Sequence, residues 1–272
     1  MAIDLTSTPM TTTRSRQTDI DKAVAKLKPA SLIRPQVKMV VYARNKVGKT
    51  KFACTSDMKT LLIDCNERGY ASVRSLPNVT VYELQRWEDL DPIYWYLRSG
   101  KHDFEVVVID TVTMLANICM KWVLKENYDR DMTADVQTPT RQSWGKLGEA
   151  LKETIIRFRN LPMHVIFTAQ EKVTTNEDED GGTVQEIHPE LSPSPRSTLL
   201  SAVDIIGRMY VKEVEKDDKT TLERRMLLGS HTKFVSGNRF SSELKYVERN
   251  PTFGGFIAKI IGETTDAGST AS

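Results

Sequence analysis

The chain has 272 residues, 39% of them hydrophobic and 27% charged, with a formal net charge of +2. That is enough for one domain with a sizeable core, and too little charge for a global basic field, so any contact with nucleic acid must be local. Cys54, Cys65 and Cys119 show no CxxC or metal-ligand spacing and their odd number argues against a disulfide scaffold, while neither a membrane-length apolar run nor a signal-peptide core is present, so a cytoplasmic location without a membrane is expected.

Residues 1–17 are rich in Thr and Ser and are expected to be a disordered tail. Residues 18–34 read as a short helix and linker. Ile20, Val24 and Leu27 recur at helical spacing between Asp19 and Lys28, and Pro29 stops the run. This helix is expected to dock either on its own domain or on a neighbouring subunit. A main domain is expected over residues 35–262, and a second tail over 263–272.

Val37 to Ala43 reads as a strand buried on both faces. It empties into Ala43-Arg44-Asn45-Lys46-Val47-Gly48-Lys49-Thr50, which fits the phosphate-binding loop pattern with alanine in place of the first glycine. Such a loop turns its backbone N–H groups around an anion at the start of a helix. Gly48 would allow close approach of the backbone, Lys49 would reach the β- and γ-phosphates of ATP, and Thr50 would hold Mg²⁺. A solvated basic turn is the competing reading.

A helix is expected from Thr50 to about Asp57, then a strand over Thr60–Asp64. That strand ends in the polar cluster Cys65-Asn66-Glu67-Arg68-Gly69, where open α/β sheets place their ligands. Val79–Leu84 alternates like a strand. Trp87–Leu97 reads as a helix whose Trp87, Tyr94 and Trp95 belong to the core rather than to a base-stacking platform. Phe104 to Asp110 is a second strong signal: four aliphatic residues end in Asp110, a candidate Mg²⁺ acid.

Thr111–Tyr128 continues as a helix, and 129–142 as a polar connection. Trp144, Leu147, Leu151, Ile155 and Phe158 then mark the apolar face of a long helix. Met163–Ala169 is a buried strand that includes His164, a core histidine, and ends at Gln170, whose amide could touch a γ-phosphate or its water. From Val173 to Arg196 the pattern dissolves into small and polar residues, and a long structureless loop is expected. The run Glu177-Asp178-Glu179-Asp180 would repel a phosphate backbone, which leaves Lys172 and Arg196 at the flanks as candidates for nucleic acid. Val203–Val211, Arg225–Leu228 and Thr232–Val235 read as further strands, antiparallel additions to the sheet, and Gly255–Ile261 as a last helix.

With YARNKVGKT, LLIDCNERG, VVVIDTVT, SWGKLGEALKETIIRFRNLPMHVIFTAQE and SAVDIIGRMYV in this order, residues 30–245 resemble the RecA-like P-loop ATPases. The likeness is greatest to the phage-encoded, AAA-type group of Sak-like proteins associated with single-strand annealing and recombination. The resemblance implies an α/β fold with a mostly parallel central sheet and helices on both faces. It also implies ATP at subunit boundaries of a homo-oligomer, action on single-stranded DNA, and the cytoplasm of an infected bacterial host. Within it, Glu67 is the candidate catalytic base (Asn66 lies nearest the usual place), Gln170 the γ-phosphate switch, and Arg239 a basic residue that reaches a neighbour's ATP; a lysine usual just before it is replaced by Gly237.

Two other readings stay open on the sequence. A P-loop kinase of a nucleotide or small molecule would use the 173–196 stretch as a lid, although that stretch offers only Arg196 to a transferred phosphoryl group. A nucleotide-gated, non-catalytic assembly or loader protein would need no acid at position 66.

Overall fold

The computed structural model describes residues 11–29, 35–177, 183–216 and 219–262. Both expected tails fall partly or wholly outside these residues, as do Asp178, Glu179 and Asp180 of the acidic run. The chain divides into two units, Met1–Pro35 and Gln36–Ser272.

The first unit holds helix α1 (Thr11–Val24). It starts at Thr11 rather than Asp19, so part of the expected tail is helical, and it stops before Leu27. A Gln17–Asp21 hydrogen bond of 2.9 Å and a Lys22–Asp19 ion pair of 3.8 Å support it at i,i+4 and i,i+3 spacing. Pro29 disfavours helical backbone at Lys28 as well as ending the run itself. Ile20, Val24 and Leu27 are exposed.

The second unit is a sheet covered on both faces. Strands β1 (Lys38–Ala43), β2 (Thr60–Asp64), β3 (Val79–Glu83), β4 (Val106–Asp110), β5 (His164–Glu177) and β7 (Ile205–Lys216) run parallel in the order β7-β1-β5-β4-β2-β3. Antiparallel strands are added late: β8 (Lys219–Leu227) on β7, β10 (Val247–Arg249) on β8, and the two-residue β9 (Gly237–Asn238) on β7. The expected mostly parallel α/β architecture is therefore the observed one, except that Val203–Val211, expected as an antiparallel addition, contributes to β7 and runs parallel to β1. Thr232–Val235 is not a strand; only Phe234 makes a single bridge, to Ile187.

Alternation along the strands sorts the core. Val40, Tyr42, Val107, Ile109, Val165 and Phe167 face helices α3 (Leu90–Arg98), α4 (Val112–Arg130), α5 (Arg141–Arg159) and α6 (Pro193–Ala202). Met39, Val41, Ala43, Val106, Val108 and Ile166 face the short α2 (Lys49–Ala53) and the C-terminal α7 (Phe253–Ile261), where Phe52 packs edge-on against Phe256 at 5.4 Å. His164 is a core residue as expected, accepting from the Val37 N–H at 3.0 Å. Trp87 stacks on Trp122 at 6.1 Å, but Trp95 is 57% exposed and is not core. The three cysteines are free and buried. Among the described residues no helix is long and apolar enough to cross a membrane.

The largest departure from expectation lies at 173–196. Strand β5 runs on to Glu177 and pairs with β6 (Thr183–Pro189), Glu171 opposite Pro189 and Glu177 opposite Thr183. The β-branched Val173, Thr174 and Thr175 suit an extended, half-solvated ribbon even though few large apolar residues mark it. The buried Tyr42 hydroxyl secures its base, 3.1 Å from the Ile187 carbonyl and 2.8 Å from that of Val235.

Candidate functional site

Four parallel strands deliver side chains to one edge of the sheet. Ala43 ends β1 opposite Gln170 of β5, and Asp64 ends β2 opposite Asp110 of β4. This is the C-terminal edge, where open α/β sheets bind ligands. Between β1 and α2 the chain turns through Arg44–Gly48, with left-handed backbone at Lys46 (φ 63°) and Gly48 (φ 111°). Glycine is thus required at 48, whereas Ala43 simply closes a fully buried strand, which explains why alanine serves there.

Lys49 is buried, and its ammonium donates to the Ala43 and Arg44 carbonyls at 3.2 Å each and to Gln170 Oε1 at 2.9 Å. Gln170 Nε2 in turn donates to Glu67 Oε1 at 3.1 Å and Oε2 at 3.3 Å. The Lys49 partner fixes the orientation of the amide, since an ammonium can only donate and so faces the amide oxygen. The Thr111 hydroxyl donates to Glu67 Oε1 at 2.9 Å. Lys49, Gln170 and Glu67 therefore form one chain of hydrogen bonds across the sheet edge.

Asp110 lies beside it. Its Oδ2 accepts from the Thr50 hydroxyl at 2.7 Å, and its Oδ1 from that of Thr168. The Asp110–Thr111 peptide is cis. Burial raises the Asp110 pKa above the ordinary carboxylate range, against the lowering effect of the two hydroxyl donors; Glu67 and Asp64 add to the rise. Burial likewise lowers the Lys49 pKa, opposed by Asp110, Glu67 and Glu171. A phosphate against Lys49 and a divalent cation against Asp110 would each offset that burial. The donor set fits Mg²⁺: a hydroxyl and one carboxylate, hard oxygen ligands of the kind that hold this ion together with substrate phosphates. Among the described residues no group of three or more His, Cys, Asp or Glu is arranged to hold a metal by itself.

Several positioning residues escaped the sequence reading. The Asp64 carboxylate, 1% exposed, accepts from the backbone N–H groups of Glu67 (2.8 Å), Arg68 (3.1 Å) and Tyr70 (3.3 Å), and so shapes the loop that carries Glu67. That loop is tight, with Asn66 at φ 65° and Arg68 at φ 58°. At Gly69 a Cβ would stand 2.2 Å from Asp110 Oδ2, so no larger residue fits against the acid. The LLID pattern could have flagged Asp64, an acid at a strand tip; nothing in the sequence marks Thr168 or Arg224.

The other predicted residues are placed as follows. Asn45, Lys46, Gly48, Lys49, Thr50, Glu67 and Gln170 line one open cavity of about 1380 Å³. Arg44 points outward to Glu171 (3.3 Å), which Arg208 also engages at 2.9 Å, and the Val47 carbonyl accepts from Arg224. Arg196 is not a loop flank but part of α6, bonded at 2.7 Å to Nδ1 of buried His188. Arg239 is not brought to this chain's phosphate loop. It pairs with Asp204 at 2.9 Å, and Asp204 in turn accepts from the Lys38 N–H at the start of β1, the opposite edge of the sheet.

A family model described as an AAA domain matches residues 35–240. The chain belongs to the AAA domain family. The match takes in every strand that supplies the site, from the phosphate loop of this AAA domain to Arg239. Among solved structures, the AAA domain is similar to the flagellar accessory protein FlaH of Methanocaldococcus jannaschii, at 9% sequence identity and a TM-score of 0.40, over 87% of this chain and 93% of that one. No curated protein gives a significant match.

Proposed function

We propose that this chain is a RecA-like ATPase that binds ATP with Mg²⁺, hydrolyses it, and acts on single-stranded DNA in recombination or annealing as a homo-oligomer. The observation that carries the ATPase reading is the continuous Lys49–Gln170–Glu67 hydrogen-bond chain beside the Thr50–Asp110 pair. A cation, an amide and a hydrogen-bonded carboxylate thus share one edge of the sheet, and the presence of Glu67 there favours hydrolysis over a non-catalytic loader.

In this reading Lys49 exchanges its carbonyl and amide partners for the β- and γ-phosphates. Thr50 and Asp110 would hold Mg²⁺, which would supply neutralisation of phosphate charge. Glu67, oriented by the Thr111 hydroxyl and the Gln170 amide, takes a proton from the water whose oxygen attacks the γ-phosphorus as the bond to ADP breaks. Gln170 lies on β5, whose continuation forms the hairpin with β6, so loss of the γ-phosphate would be felt along that ribbon.

The DNA half is supported by the far wall of the cavity. Lys172 on β5, Arg196 on α6 and Trp144 on α5 line it, and Trp144 is 52% exposed instead of packed on the apolar face of its helix. Cations combined with an open aromatic suit an unpaired strand. The oligomeric half is supported by Arg239, whose side chain is 65% exposed at the edge away from its own phosphate loop and, in this reading, would reach a neighbour's. Anisotropy of a labelled single-stranded oligonucleotide with Mg²⁺-ATP, at fixed salt, tests the partner. Binding that weakens about tenfold in Trp144→Ala supports the reading; an oligonucleotide not bound by the wild type rules it out.

A further inference from the structure

We propose that Arg224 is a second phosphate-binding cation of this chain's own nucleotide site, brought to the phosphate loop by the antiparallel strand β8. The inference rests on the ATP reading above and adds a residue to it.

The topology explains how a residue so distant in sequence reaches the loop. Strand β7 runs parallel to β1, with Arg208 opposite Tyr42, and continues beyond the point where β1 turns into the phosphate loop. Strand β8 returns antiparallel, with Arg224 opposite Val211, which places Arg224 past the end of β1. There Arg224 Nε donates to the Val47 carbonyl at 2.9 Å. It also packs over Gly48, where a Cβ would come within 3.1 Å of Nε.

The backbone at this point is pinned. The Arg224 N–H donates to Asn250 Oδ1 at 3.2 Å and its carbonyl accepts from the Asn250 N–H at 2.7 Å. Asn250 takes the left-handed conformation (φ 42°) at this double contact. The neighbouring Arg225 is neutralised by Glu223 at 2.5 Å, but among the described residues Arg224 has no carboxylate partner. A guanidinium carries five N–H donors, and among the described residues only Nε is engaged. Arg224 lines the same cavity as Lys49 and Thr50. A cation with no carboxylate partner among the described residues, bonded to the phosphate loop and bordering its cavity, suits phosphate oxygens.

Equilibrium binding of ATP and of inorganic tripolyphosphate, each with Mg²⁺, to wild type, Arg224→Ala and Arg224→Lys tests this. The alanine variant is expected to bind both ligands about tenfold more weakly, with lysine recovering part of the loss. Ligand-free melting separates this from a folding defect, and if Arg224→Ala does not fold, the tripolyphosphate affinity of Arg224→Lys decides in its place. Unchanged affinity for both ligands, or a loss for ATP with none for tripolyphosphate, overturns the proposal and leaves the ATP reading standing. Wild type that binds neither ligand overturns both.

Discussion

The hydrogen bonds between Gln170 and Glu67 make a quantitative prediction about catalysis. Glu67→Gln removes the base while keeping its shape, and general-base catalysis is typically worth about 10²- to 10⁴-fold in rate. Gln170→Ala removes the donor held 3.1 Å and 3.3 Å from the Glu67 oxygens and the acceptor 2.9 Å from Lys49. Hydrogen bonds to charged groups are worth about 1.5–3 kcal/mol each, and the partial exposure of Gln170 favours the lower end, so a carboxylate no longer oriented should cost about tenfold in kcat. If Gln170 acts on the chemistry through Glu67, the two losses must not add. Single-turnover hydrolysis of γ-labelled ATP by both single variants and the double variant should place the double within about threefold of Glu67→Gln, a coupling of about 1–2 kcal/mol. A double variant slower by the full product of the single losses would refute the idea that the amide works by positioning that acid.

Three further outcomes follow from the same geometry. Asp110→Asn should lower Mg²⁺-dependent turnover by about 10²-fold or more yet raise the melting temperature of the ligand-free protein, because burial already disfavours the charged carboxylate; a lower melting temperature would count against this. Gly69→Ala should force a Cβ against Asp110 Oδ2, 2.2 Å away, and destabilise by about 1–3 kcal/mol while reducing turnover, as read by denaturant unfolding and hydrolysis together. Lys38, buried between the Leu161 and Met163 carbonyls, has its pKa lowered by burial to about 8. Below that pH both folded and unfolded chains hold the proton and the burial penalty is complete. Between about 8 and 10.5 the folded chain releases a proton the unfolded one keeps, so stability rises with pH, by about 3 kcal/mol over the window. Wild type should therefore gain on Lys38→Met across that window, and parallel melting curves for the two would exclude the assignment.

What was legible in the sequence had strong local signatures. An apolar run followed by GKT gave β1 and Lys49, and four aliphatics ending in an acid gave β4 and Asp110. Each such pattern reports a strand buried on both faces and ending at a charged edge. Glu67 and Gln170 were legible as acid and amide at strand tips, though their contact with each other depends on the order β1-β5-β4-β2, which no local window contains. The β5–β6 hairpin was misread because its stability comes from cross-strand pairing and from Tyr42 beneath it, while its Thr, Asn and Glu composition looks like a loop. The start of helix α1 is not legible because the sequence Thr11 to Gln17 contains no apolar residue and so offers no periodicity. Asp64, Thr168 and Arg224 act through backbone groups and hydroxyls brought together by tertiary structure, which residue spacing does not encode.

The most direct test of the account is steady-state ATP hydrolysis with Mg²⁺ by the full chain and by Lys49→Ala, each with and without single-stranded DNA at one salt concentration. The account predicts turnover that requires Lys49 and rises when the single strand is added. Equal turnover in Lys49→Ala and wild type, or none in wild type under either condition, would contradict it.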